Sequence, residues 1–221
     1  MSEREAGVRI TKVSEINETA VNIDRYWMTG KIKPDLPASV TDKIEPAIYE
    51  MLASPGSDEY RKVDILFPGE RAASAFYLES VFPLPELIIA GAGHIGKALS
   101  HLGKLIGFEV TVIDNRSEYA NSYNLPDADH IIVDDIGKAV ENIEKHRDTF
   151  IVIVTRGHSD DAVALKPCIG KGAGYVGMIG SKEKVAKMHS DFISRGWATE
   201  DQWKRIHTPV GLEIKSKTVE E

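Results

Sequence analysis

Leu87-Ile-Ile-Ala-Gly91-Ala-Gly93-His94-Ile95-Gly96 is the stretch on which the fold turns. An apolar run enters a glycine turn and a helical pattern follows, the context in which a Gly-x-Gly-x-x-Gly spacing acquires a mechanism. Gly91 would allow the tight turn, Gly93 the approach of a pyrophosphate to the backbone, and Gly96 close packing of helix on sheet. The free N–H groups of the helix start, at His94 and Ile95, would favour phosphate. Ile95, Ala98, Leu99, Leu102, Leu105 and Ile106 then recur at helical spacing, so this set is expected to face the sheet, with Lys97, Ser100, His101 and Lys104 opposite. Gly107 is a natural C-cap. Phe108 to Ile113 reads as a second strand ending in Asp114, about 20 residues past the glycines, where a dinucleotide fold holds a ribose hydroxyl. The plainer alternative is a glycine turn that only joins a strand to a helix.

The remaining composition narrows the classes. The 221 residues carry a formal charge of −7, with 42% hydrophobic and 28% charged residues, as in an ordinary globular protein. Such a balance offers no basic footprint for nucleic acid. No apolar run approaches the ~18 residues of a membrane span, and Met1-Ser-Glu-Arg-Glu-Ala is too polar for a signal peptide. Cys168 is the sole cysteine, which excludes an internal disulfide and a multi-cysteine zinc site. No metal site is expected, and the cytoplasm is the expected location.

Residues 1–81 have a different texture and are expected to form a small α+β subdomain. Val13 to Met28 reads as a helix, with Ile16, Ala20, Ile23 and Trp27 on one face, and Trp27 and Tyr26 as packing residues. Thr41 can cap a second helix through Leu52. Ser54-Pro-Gly-Ser57 is a turn, and Tyr60–Phe67 and Ala72–Val81 read as a hairpin around Pro68-Gly69-Glu70.

Residues 82–221 read as an α/β, Rossmann-like domain, a parallel sheet with helices on both faces. Ile131–Val133, Phe150–Val154 and Tyr175–Ile179 are the further strands, and Ile136–His146 is a crossover helix. Ser117 is a candidate cap for a short helical turn through Tyr123. Right-handed crossovers place the first and fourth strands of this domain side by side, with a ligand crevice at their carboxyl ends. The Gly91–Gly96 loop would then face Thr155-Arg156-Gly157-His158-Ser159-Asp160-Asp161. Ser159 and Asp160 read as capping residues. Thr155, Arg156 and His158 lack that explanation: Arg156 suits a phosphate, and His158 suits proton transfer or phosphate donation. Gly180-Ser181-Lys182 opens another helix after a strand, either as a plain Ser181 cap or as a further anion contact. Gly196 ends that helix, and Thr199-Glu-Asp-Gln202 is a capping box.

Together these residues resemble the C-terminal domain of the XdhC/CoxI family, accessory proteins of xanthine dehydrogenase and related molybdenum hydroxylases. The matching pieces are Pro83-Leu-Pro85-Glu-Leu-Ile-Ile-Ala-Gly-Ala-Gly-His94, Val110-Thr-Val-Ile-Asp114-Asn-Arg116, Tyr175-Val-Gly-Met-Ile-Gly-Ser-Lys182 and His207-Thr-Pro-Val-Gly-Leu212. The resemblance covers residues 74–219. It implies a chaperone without turnover that binds molybdenum cofactor (molybdopterin), protects it during sulfuration by a cysteine desulfurase, and inserts it into a xanthine dehydrogenase-type hydroxylase. A homodimer is also implied. The cofactor-binding set would be Gly91, Gly93, His94, Ile95, Gly96, Asp114, Arg116, Thr155, Arg156, His158, Gly180, Ser181 and Lys182.

The chain also departs from the family. Thr155, His158 and Asp161 match a Thr-His-Asp-His-x-x-Asp loop, whereas Arg156 and Gly157 replace its first His and Asp. The family's N-terminal Gly-Gly-Gly-x-x-Glu segment has no counterpart in residues 1–80, and its last helix none after Thr218. Cys168 matches no family motif and reads as a packing cysteine. Two other functions stay open: an NAD- or NADP-dependent oxidoreductase with Asp114 on the ribose and His158 as acid or base, and a nucleotide-sensing regulatory domain.

Overall fold

The computed structural model describes residues 5–17, 20–53, 60–69, 73–212, 214 and 217–219, apart from the side chains of Ile16, Asn17 and His158. The chain divides between Pro83 and Leu84 into two compact units.

The first unit is an antiparallel sheet with one helix. Strands β1 (Gly7–Asn17), β2 (Ala20–Thr29), β3 (Tyr60–Ile65) and β4 (Ser74–Val81) lie in the order β2-β1-β4-β3. The helix expected over Val13–Met28 is therefore a hairpin, with Val8 opposite Met28 and Ile10 opposite Tyr26. Its alternating pattern is the deciding signal: Val8, Ile10 and Met28 are buried, while Arg9 and Trp27 pair on the other face. Helix α1 (Ala38–Ala53) covers the buried face with Val40, Ile44, Ile48 and Met51, against Phe76 and Leu78. It starts three residues before Thr41, whose hydroxyl donates back to the carbonyls of Leu36 and Pro37 instead of capping. β3 and β4 pair antiparallel as expected, with Ile65 opposite Ser74, although β3 ends two residues before Phe67; the Ser54–Ser57 turn, Glu70 and Ala72 lie outside the described residues.

The second unit is a five-stranded parallel sheet in the order β7-β6-β5-β8-β9. Its strands are β5 (Glu86–Ala90), β6 (Glu109–Asp114), β7 (His130–Val133), β8 (Thr149–Ile153) and β9 (Tyr175–Met178). Alternate side chains feed opposite faces. Ile88, Ala90, Ile113, Ile151 and Ile153 pack under α3 (Ile136–Asn142), α4 (Gly157–Leu165) and α5 (Lys182–Ser194). Leu87, Ile89, Val110, Val112 and Val152 lie on the side of α2 (His94–Leu105). Helix α3 ends four residues before His146, and Ile143 leaves it in an extended conformation. Ser117 caps nothing named as a helix; the carbonyl of Arg116 accepts from the N–H groups of Tyr119 and Ala120 instead. The short α6 (Glu200–Trp203) carries the expected capping box of Thr199 and Gln202. After it, His207 pairs with β9 at Gly177.

Helix α2 uses only part of the face its periodicity suggests: Leu99 packs against the core and Ala98 and Leu102 are half-buried, but the face is turned towards smaller residues. Its buried residues are Gly96, Ser100 and Gly103, whereas Ile95, Leu105 and Ile106 are 37%, 72% and 71% exposed. Small residues bring the helix backbone close to the sheet: a Cβ on Gly103 would stand 2.5 Å from the Leu87 side chain. Gly107 closes the helix at φ +89°, as a C-cap glycine does.

Candidate functional site

The order β7-β6-β5-β8-β9 reverses direction between β5 and β8, so the loops after these strands diverge and leave a crevice. The first wall is the glycine loop. Gly91 has φ +118°, and a Cβ there would stand 2.6 Å from the carbonyl oxygen of Val154 in the facing loop. A Cβ on Gly96 would collide with the Gly91 carbonyl. Both glycines are demanded by the fold. Gly93 is not: its φ of −72° suits any residue, and among the described residues nothing beyond its chain neighbours and the backbone of its own helix lies within 4 Å of an added Cβ. It stands at the N-cap of α2, where Lys97 N–H closes the first turn onto its carbonyl at 2.9 Å. The N–H groups of His94, Ile95 and Gly96 thus have no intrahelical acceptor.

No described side chain caps α2 or α4, the helices that begin beside the reversal point. Elsewhere in this unit Asp135 caps α3, Ser181 caps α5 and Thr199 caps α6. Two adjacent helix starts therefore keep donors that no described side chain caps, together with the positive ends of their dipoles.

At the end of β6, Asp114 is 1% exposed and fully engaged. One oxygen accepts from the Ala92 N–H (2.8 Å) and from Arg116 Nη2 (2.7 Å). The other accepts from Arg116 N–H (3.0 Å) and Nε (2.8 Å). A carboxylate has about four acceptor positions, so all are taken within the protein. Burial by itself would raise the Asp114 carboxyl, but the hydrogen bonds from Arg116 and the Ala92 N–H reverse this and hold it below the usual carboxylate range. The aspartate ties the glycine loop to β6. The Arg116 guanidinium also lies 4.3 Å from the centre of the Tyr119 ring, and that of Arg156 lies 5.9 Å from the same ring.

On the β8 side Thr155 lines the crevice and Asp161 lies fully buried beside it. The buried Thr155 hydroxyl donates to Asp161, whose other oxygen meets the Lys184 ammonium from α5. Helix α4 begins at Gly157 (φ +85°), so Ser159 lies inside its first turn and does not cap it. Glycine lets the chain turn into the helix three residues earlier than a Ser159 cap would set it. Asp160 is in that first turn, as expected. His158 lies there too, and its side chain is outside the described residues.

Asp114, Asn115, Arg116, Ile136, Thr155, Arg156 and Asp160 line a cavity of about 320 Å³. Of the residues singled out from sequence, Asp114, Arg116, Thr155 and Arg156 thus come together in one space. Gly180, Ser181 and Lys182 lie at the same end of the sheet but do not line that cavity. The Ser181 hydroxyl accepts from Lys184 N–H (3.2 Å) as a helix cap. Asn115, Tyr119 and Lys184 were not legible as site residues. Tyr119 sits in a turn without periodicity, and Lys184 reaches Asp161 across a long sequence gap.

Cys168 is buried, its thiol donating to the Ala164 carbonyl, and burial pushes it up to about 12. It is a packing residue. Among the described residues no cluster of His, Cys, Asp and Glu is placed to hold a metal ion. No described helix is long and apolar enough to cross a membrane.

Residues 87–221 match the family described as the XdhC Rossmann domain. The chain belongs to this family. It is 30% identical over 138 residues to the Escherichia coli (strain K12) protein named "Uncharacterized protein YqeB", covering 62% of this chain and 25% of that protein. It is 25% identical over 169 residues to a Bacillus subtilis (strain 168) protein named as a probable xanthine dehydrogenase subunit, covering 76% of this chain and 49% of that one. The chain therefore spans at most about half the length of these curated relatives. Its fold also matches a crystal structure from Bacillus halodurans described as a xanthine dehydrogenase, with a TM-score of 0.66 at 21% identity over 99% of this chain and 56% of that one.

Proposed function

We propose that this member of the XdhC Rossmann-domain family is an accessory protein of a xanthine dehydrogenase-type molybdenum hydroxylase, which holds the molybdenum cofactor during sulfuration and insertion. The family match and the name of the Bacillus subtilis relative support the accessory role. The observation that carries cofactor holding is Gly93: a glycine the fold does not require, placed before uncapped N–H groups, leaves room for a ligand. The donors fit a pyranopterin with a phosphate tail, since His94, Ile95 and Gly96 offer backbone N–H groups and Arg116 and Arg156 offer guanidiniums. When bound, the cofactor would supply the molybdenum centre and its exchangeable sulfur. The chain's own residues bind and orient it, with Asp114 holding the glycine loop in place. A cysteine desulfurase and the apo-hydroxylase are the partners this reading requires, and a homodimer belongs to the same proposal.

Titrating the purified protein with molybdenum cofactor and, separately, with NAD(H), NADP(H) and FAD tests the reading. Tight cofactor binding, weakened at least tenfold by Gly93→Ser, is the expected result. Nicotinamide nucleotide binding without cofactor affinity would replace the proposal by a nucleotide-dependent function.

A further inference from the structure

We infer that the cavity between Arg116 and Arg156 is a receptor for a phosphate monoester and discriminates against a free ribose diol. This inference deepens the proposed function and rests on a ligand entering the same crevice. A diol is held in dinucleotide folds by an acceptor at the end of the second strand. Here that acceptor is Asp114, and its lone pairs are committed to Ala92 and Arg116. A sugar hydroxyl entering the cavity finds no open carboxylate at that strand end.

Arg116 and Arg156 come from loops after different strands, yet both approach the Tyr119 ring and both line the same cavity. The ring attracts both cations, Arg116 closely and Arg156 at the outer reach of such a contact. Arg116 is bidentate to Asp114, which balances its charge. Arg156 is exposed and, among the described residues, makes no ion pair. Asp160 also lines the cavity, its carboxylate accepting from the Ser159 hydroxyl at 3.4 Å. Its carboxylate opposes an anion in the part of the cavity that it lines, so the two guanidiniums are the groups that favour one. The uncapped start of α4 adds backbone N–H groups beside Arg156. A phosphate monoester carries about −1.5 to −2 charges at neutral pH. A guanidinium paired with Asp114, one that makes no ion pair among the described residues, and the N–H groups at the start of α4 suit that dianion better than a neutral diol, whose hydroxyls they would hold without the charge attraction.

The chemistry has two sources, the phosphate tail of the pterin and the 2′-phosphate of an NADP-type nucleotide. Calorimetric titration of the full chain with molybdenum cofactor, and with the pair 2′,5′-ADP and 5′-AMP, separates them. Binding that depends on the monoester and falls at least tenfold in Arg156→Ala supports the inference. The arm in which it occurs names the source. Where the nucleotide arm responds, Arg116→Ala releases Asp114 and is expected to shift the preference at least tenfold from 2′,5′-ADP towards 5′-AMP, a reversal that misfolding does not produce. Equal affinity for the two nucleotides, together with cofactor binding unchanged in Arg156→Ala, overturns the inference while leaving the cofactor-holding reading intact. Discrimination between the nucleotides with no cofactor binding does the opposite.

Discussion

Gly91 and Gly93 stand two positions apart in one loop and answer to different demands. At Gly91 the backbone is in a region reserved for glycine, and a Cβ would press on the Val154 carbonyl. Gly91→Ala is expected to cost roughly 1–3 kcal/mol, measured by urea denaturation. At Gly93 the conformation suits a helix N-cap and the space is open. Gly93→Ser is expected to leave stability unchanged or raise it by about 0.3 kcal/mol, while weakening any crevice ligand at least tenfold. A large loss of stability at Gly93 would contradict this division. Cys168 gives a further residue-level test. With its thiol pushed up to about 12 by burial, the native protein should resist alkylation by iodoacetamide at pH 8, and unfolding in concentrated urea should expose it at once.

Helix α2 shows how an element can be read correctly in extent and wrongly in orientation. Its start at the glycine loop and its end at Gly107 follow from the sequence, because caps are local chemistry. Its leucines and isoleucines form a convincing apolar stripe, yet only its Leu99 edge packs on the sheet, and the Gly96–Ser100–Gly103 side is the one pressed closest. Periodicity reports which residues share a face, and the choice of face is made by close packing that no spacing encodes. Gly103→Val should therefore cost about 1–3 kcal/mol through overpacking, while Leu105→Ala should stay within about 0.5 kcal/mol. The opposite ranking in urea denaturation would restore the apolar stripe as the buried face. The β1–β2 hairpin failed for a related reason. No Gly or Pro separates Asn17 from Ala20, so nothing in the sequence marked the break between the two strands, and a helical spacing of Ile16, Ala20, Ile23 and Trp27 arose by coincidence. The parallel strands β5, β6 and β8 were legible because their apolar runs are bounded by glycines and acids.

For the whole molecule, acid is the informative perturbation. Asp114, Asp129 and Glu79 each lie below the usual carboxylate range. Asp129 is held there by hydrogen bonds from Lys104 and the Val110 N–H, and Glu79 by those from Arg9. A carboxylate depressed in the folded state stabilises it at pH values above the ordinary range, about 4, and that contribution is lost as pH falls through the depressed value. Stability measured by urea titration is expected to hold from neutrality to about pH 5 and to decline below about pH 4. Asp114→Asn should flatten part of that decline, and an unchanged acid slope in this variant would remove Asp114 from the account. Asp114, Arg116, Thr155 and Arg156 were visible in sequence because topology alone sends strand ends to one edge. The locking of Asp114 was not, because it depends on where one arginine side chain folds back.

The uncapped helix starts at Gly93 and Arg156 carry a consequence for how this protein would drift under selection. A serine, aspartate or asparagine at either position would strengthen its helix. A laboratory library enriched only for thermal survival should accumulate those residues there, and would become hardier as it emptied the crevice of purpose. Positions where evolved sequence and optimal stability part company would thus trace the outline of the ligand without any ligand in hand.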